Sequence, residues 1–117
     1  QLMSDLNIRH KDLWHVYFDP VSGSEQSGNR PAVVISGDTL NKNLNVIIVC
    51  PITSSIHDFE GNVILKPNTE NGLQKKSEIL VFHVRSLSKL RFKKKIGKIS
   101  EEELNKIKYT LNDLLKY

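Results

Sequence analysis

The chain has 117 residues, 38% of them hydrophobic and 26% charged, which is the balance of a folded soluble domain and excludes a chain too polar to bury a core. At this length folding buries roughly two thirds of the open chain's surface, enough for one core and not for two. Seventeen Lys and Arg against 13 Asp and Glu leave a net charge of +4; no run approaches the ~18 consecutive apolar residues of a membrane span, the first residues lack the apolar stretch of a secretory signal, and a cytoplasmic location is expected.

In chain order, Gln1 is an unusual translation start, so residues 1–10 are set apart as an N-terminal extension or cloning remnant and residues 11–117 are expected to form a single domain. Apolar, β-branched runs bounded by Gly, Pro and Asn then recur at short intervals, as in an all-β barrel or sandwich. The first spans 13–18 and carries Trp14, expected in the core or at a subunit contact rather than as a base platform. Loop 19–31 follows, DPVSGSEQSGNRP, far longer than the roughly two to five residues of most hairpin loops. It is rich in functional groups: Ser24, Glu25, Gln26, Asn29 and Arg30.

Runs at 32–36 and 46–50 come next, the second ending on Cys50, the single cysteine. One cysteine permits neither an intrachain disulfide nor a cysteine-caged zinc, and in this setting it reads as a small buried apolar residue. Loop 51–58, PITSSIHD, places Thr53, Ser54, Ser55 and His57 at the end of the most apolar strand, where a rigid element fixes their positions. Runs at 63–65 and 79–84 complete the clear strands, and a sixth at 92–99 is ambiguous because lysines fill most of it.

Between Arg85 and Lys98 lie seven basic side chains and no acid. That stretch suits a polyanion, whose condensed counterions are freed on binding; it equally suits an edge strand whose lysines block edge-to-edge pairing. The tail changes period: Leu104, Ile107, Leu111, Leu114 and Leu115 fall on one helical face. Ser100-Glu101-Glu102-Glu103 forms a capping box at its start, so these acids are given a structural role. The expected fold class is mainly β with a C-terminal α-helix. His10, His15, His57 and His83 show no metal-ligand spacing, and no metal site is expected.

Several segments together carry a family resemblance. Lys11-Asp12-Leu13-Trp14, Asp19-Pro20-Val21-Ser22-Gly23-Ser24-Glu25-Gln26, Gly28-Asn29-Arg30-Pro31-Ala32-Val33-Val34 and Pro51-Ile52-Thr53-Ser54, in that order, resemble the MazF/PemK ribonuclease toxins of toxin–antitoxin systems. The resemblance continues through Ser77-Glu78-Ile79-Leu80-Val81, Val84-Arg85-Ser86-Leu87, Lys95-Ile96-Gly97-Lys98-Ile99-Ser100 and the terminal helix. It implies an SH3-like small β-barrel and a homodimer with RNA across the subunit groove. It also implies metal-independent, cofactor-free cleavage of single-stranded RNA (mRNA) at a short sequence, leaving a 2′,3′-cyclic phosphate and a 5′-hydroxyl and so stopping translation and growth. The implied inhibitor is a cognate antitoxin with a flexible acidic tail.

Carried over by motif, the catalytic positions are Arg30 and Thr53, with Glu25 close by; Ser24, Gln26, Asn29, Ser54, Ser55, His57, His83 and Arg85 are the RNA-binding candidates. The chain departs from the family at two places. Lys11 stands where a glycine commonly precedes the Asp-hydrophobic-Trp segment, and Phe82-His83 stand where an acidic residue and glutamine are frequent.

Metal-free RNA cleavage needs a base for the 2′-hydroxyl proton, stabilisation of charge on five-coordinate phosphorus, and a proton for the departing 5′-oxygen. A guanidinium keeps its charge and can donate two parallel hydrogen bonds to phosphate oxygens, which suits Arg30 to the second task and not to the first. The Thr53 hydroxyl can orient the phosphate, and the base is left open among Glu25, His57 and His83. By residue type alone, Arg30 could merely pair with a loop acid, and Thr53, Ser54 and Ser55 could merely satisfy turn amides. Two other functions are compatible with the expected fold: a gyrase-poisoning toxin resembling CcdB and a non-catalytic RNA-binding module.

Overall fold

A computed structural model describes residues 6–18 and 29–116. The elements are β1 (Asp12–Tyr17), β2 (Asn29–Val34), α1 (Asp38–Asn43), β3 (Val46–Thr53), β4 (Val63–Leu65), β5 (Ser77–Ile79), β6 (Arg85–Ser88), β7 (Phe92–Lys98) and α2 (Glu101–Leu114). The strand pairs are antiparallel, in the order β4-β5-β3-β2-β1-β7, with β6 also on β3. β3 organises the sheet: it carries β2 along one edge, while β6 holds Val46 to Val49 and β5 holds Ile52 and Thr53. One long strand shared by so many partners, with register shifts in the β1–β7 pair, curls the sheet into a half-barrel.

The period-two alternation of the central strands sends successive side chains to opposite faces. On one face Leu13, Val33, Cys50, Ile52, Val63, Leu65, Ile79 and Val81 pack with Ile99 and with Leu104 and Ile107 of α2. On the other, Trp14, Val16, Phe18, Ala32, Val34, Ile47, Val49, Leu87 and Phe92 form a second cluster. Trp14 is a core residue: its ring meets Phe92 edge-on at 5.7 Å and its indole N–H donates to buried Asp12 at 3.0 Å. Ile8 packs in the same cluster with Leu6 against it, so the core takes in residues that precede Lys11.

Several expectations are corrected or resolved by the structure. The run 79–84 is not one strand: β5 ends at Ile79, and Val81–His83 form one turn of 3-10 helix before β6. Leu80 (φ −88°, ψ 84°) makes the break while its N–H still donates to Pro51 O. β3 runs on to Thr53, so Pro51 and Thr53 belong to a strand and not to a loop, and β2 takes in Asn29 and Arg30 but stops before Ile35. α1 lies between two expected strands, where no apolar period marks a helix. The ambiguous run is a strand, β7, at the sheet edge, and its lysines are exposed.

The capping box of α2 forms as expected, Ser100 Oγ accepting from Glu103 N–H while the Glu103 carboxylate accepts from Ser100 N–H. Its apolar stripe is shorter than the sequence implies: Leu104 and Ile107 are buried, whereas Leu114 and Leu115 are exposed. No helix among the described residues is long and apolar enough to cross a membrane.

Candidate active site

Strand register sets where the candidate residues meet. Ala32 pairs with Pro51 and Val33 with Cys50, so carrying that register two residues further brings Arg30 opposite Thr53. Alternation then puts both on the face that buries Ala32, Val34, Ile47 and Val49. Arg85 joins them, because it pairs with Val49 and therefore shares its face. The result is a cleft of about 200 Å³ lined by Phe18, Arg30, Pro51, His83 and Arg85.

Each wall has a local cause. Arg30 is half-buried, opposite Val16 on β1, and enters no ion pair among the described residues. The Arg85 guanidinium lies 5.3 Å over the Phe18 ring, an apolar seat that leaves its N–H donors to face outward. His83 closes the 3-10 turn, held by its own N–H donating to Leu80 O at 3.1 Å.

Thr53 is half-buried at the end of β3, and its Oγ1 accepts the Ser55 N–H at 3.1 Å. The bland role of satisfying a turn amide is therefore real, yet it occupies only the acceptor side and leaves the hydroxyl proton to donate.

Across from Thr53 on β5 stands Glu78, fully buried and on the same face. Its carboxylate accepts four hydrogen bonds: from the N–H groups of His57 (2.7 Å), Asp58 (3.0 Å) and Phe59 (3.0 Å), and from Asn62 Nδ2 (2.9 Å). Burial alone pushes such a carboxyl up, but these donors from His57, Asn62, Asp58 and Phe59 outweigh it and hold the group at about 2. The other end of the Asn62 amide accepts from Val81 N–H at 3.0 Å, tying loop and 3-10 turn together. Sequence reasoning assigned Glu78 no role; the available signal was a lone acid beside the apolar run Ile79-Leu80-Val81.

The other candidates separate. Ser54 lines a different cavity of about 280 Å³ with His15, Pro31 and Lys75. Ser55 and Asn29 are exposed, and His57 stacks on Phe59 with ring centroids 5.4 Å apart and an interplanar angle of 14°. Of the two histidines proposed as the base, the structure brings His83 to Arg30 and sends His57 to the adjoining loop. Ser24, Glu25 and Gln26 lie outside the described residues. In the neighbouring cavity, burial first, then Lys94 and Lys93, hold the His15 imidazole below its ordinary value. Burial pushes the Cys50 thiol up to about 12, which leaves it without a thiolate at neutral pH.

The basic segment divides by neighbour. Lys95 pairs with buried Asp12 at 3.3 Å and Lys93 reaches the Tyr17 hydroxyl at 3.0 Å. Lys94 and Lys98 are exposed and enter no ion pair among the described residues, which suits an edge guard and a polyanion contact alike.

Three comparisons bear on this geometry. Residues 9–115 match the family described as PemK-like, MazF-like toxin of type II toxin-antitoxin system. Endoribonuclease MazF9 of Mycobacterium tuberculosis (strain ATCC 25618 / H37Rv) is 35% identical over 102 residues, covering 83% of this chain and 86% of the relative. Among solved structures, MazF (form I) from Deinococcus radiodurans superposes with a TM-score of 0.81 at 27% identity, covering 97% of this chain and 100% of that one. MazE–MazF (form III) from the same organism gives 0.78 at 25% identity, covering 93% and 96%.

Proposed function

The chain belongs to the PemK-like, MazF-like toxin family of type II toxin–antitoxin systems, and from that premise we propose that it is an endoribonuclease that cuts single-stranded RNA at a short sequence without a metal. The observation that carries the proposal is the convergence of Arg30, His83 and Arg85 in one cleft, on the strand face that also bears Thr53. The relative from Mycobacterium tuberculosis is itself named an endoribonuclease.

In this reading the 2′-hydroxyl attacks the adjacent phosphorus, and the bond from phosphorus to the 5′-oxygen breaks, leaving a 2′,3′-cyclic phosphate and a 5′-hydroxyl. Arg30 donates to the non-bridging oxygens as their charge grows, and the half-buried setting strengthens that contact relative to water. The free proton of the Thr53 hydroxyl orients the same phosphate. Arg85 takes the neighbouring phosphate. One proton leaves the 2′-hydroxyl and one reaches the 5′-oxygen; His83, which lines the same cleft as Arg30, is the group proposed for one transfer, and Glu25 for the other.

The proposed homodimer has apolar surface to cover: Leu40 and Leu44 of the α1 region and Val46 and Ile48 of β3 are all exposed. The MazE–MazF complexes from Deinococcus radiodurans support a cognate antitoxin as partner, and the net charge of +4 favours an acidic one.

The test is Arg30→Ala. Cleavage should fall by roughly two to three orders of magnitude, as on loss of one preorganised donor to a developing oxyanion, while the melting temperature stays within a few degrees. A variant that cuts RNA at close to the parent rate would refute the role given to Arg30.

A further inference from the structure

The loop between β3 and β4 spends the most deeply buried carboxylate of the described residues on a segment with no core role. Residues 54–60 are exposed throughout, yet three of their N–H groups are tied to Glu78, which is itself fully buried. Desolvating a carboxylate is costly unless donors surround it. Here the donors are supplied by the loop, so the loop is immobilised in return. Two more anchors act at its far end: Asn62 Nδ2 on Glu78, and Thr110 Oγ1 of α2 donating to Gly61 O at 2.7 Å.

The immobilised loop displays an aromatic pair. His57 and Phe59 stack nearly parallel, and Phe59 is 59% exposed. An exposed phenyl ring on a rigid loop is a flat apolar face offered to a ligand. The anchor of the loop lies one strand from the chemistry, since Glu78 pairs across from Thr53 on the same face.

The charge around the pair selects its occupant. Asp58 and Glu60 flank Phe59 in sequence, which disfavours a phosphate there, whereas Arg30 and Arg85 offer phosphate sites in the cleft. A polynucleotide that places its backbone on the arginines can turn a base toward the rings. We therefore infer that His57 and Phe59 form a stacking platform for one unpaired nucleobase next to the cleaved linkage, with Glu78 the positioning residue that holds it. This rests on the ribonuclease reading above and adds to it a specificity-determining residue, Phe59, and a reason for the buried acid.

The experiment compares wild type, Phe59→Ala, Phe59→Trp and Glu78→Gln on a pool of random RNAs, reading the sequence around each cut. Phe59 is exposed and supports no core, so its variants fold. Phe59→Ala should lose preference at a single position by on the order of tenfold, the size of one base–aromatic stack, and leave the other positions unchanged. Phe59→Trp should keep it. Glu78→Gln, assayed well below its melting temperature, should lose preference at that same position although both rings remain.

A second readout follows stacking directly. RNA carrying a 2′-deoxynucleotide at the cleaved linkage, which has no 2′-hydroxyl to attack, should bind the wild-type protein uncut with 2-aminopurine quenched at that one position, and Phe59→Ala should abolish the quench. Wild type that leaves RNA uncut would remove the underlying reading. Wild type that cuts with a preference identical to that of Phe59→Ala, with quenching intact, would overturn the platform while leaving the ribonuclease in place. A Glu78→Gln variant that slows at all sequences equally would overturn its positioning role.

Discussion

Glu78 shows how one side chain links folding to the site. Its folded value is held at about 2 against an ordinary 4.5, so the stabilisation it confers is fully present above about 4.5 and is lost as the pH falls toward 2. Melting temperatures measured across that window should drop for wild type. Glu78→Gln should remove most of this dependence and lower stability by roughly 2–4 kcal/mol, because an amide cannot satisfy four converging donors. A variant melting in parallel with wild type across the window would show that the carboxylate is not the latch. Lys11 offers a second check: its φ of 76° is left-handed, which gives a physical reason for the glycine that commonly stands there in the family. Lys11→Gly should be more stable than Lys11→Ala by about 1 kcal/mol, measured by denaturant unfolding, and equal values would speak against a left-handed backbone. Arg30 and Thr53 can be singled out in the sequence because each sits in a distinctive ordered motif, and the sheet register then sets them opposite each other. Glu78 was not legible there, since its role depends on a pairing with Thr53, far away along the chain, and on backbone donors that every residue type carries.

At the level of elements, β7 and the turn before β5 are joined by close backbone approach. A Cβ on Gly97 would clash with Glu70 O, and Lys98 N–H donates to that same oxygen at 3.0 Å. Gly97→Ala should therefore cost roughly 2–3 kcal/mol, read as a lowered midpoint in urea, and a change within about 0.5 kcal/mol would show that the turn yields freely. The strands with strict alternation, and the capped helix, could be read from sequence because their signals are local. The division of 79–84 could not: a continuous apolar run looks the same whether it continues as a strand or turns, and here the pull of Pro51 O on Leu80 N–H and of Asn62 on Val81 N–H decides it. Likewise, α1 is six residues long and only Asn41 of it is buried, so it leaves no apolar period to detect.

For the whole molecule, the decisive properties are a curled sheet with both faces packed and a surface of net positive charge. The positive charge should draw an acidic antitoxin peptide by long-range attraction, so its association rate should fall several-fold between low and physiological salt; a rate indifferent to salt in stopped-flow measurements would argue for a purely apolar contact. The general architecture was legible because family motifs run in order along nearly the whole chain, whereas the assembly of Arg30, His83 and Arg85 came only from the sheet register. The most direct measurement is end-mapping of single-stranded RNA incubated with the purified protein in excess chelator. Fragments should appear with 2′,3′-cyclic phosphate and 5′-hydroxyl ends at a recurrent short sequence, and Arg30→Ala should yield almost none. Intact RNA with the wild-type protein, or 3′-hydroxyl ends that require added metal, would contradict the proposed chemistry.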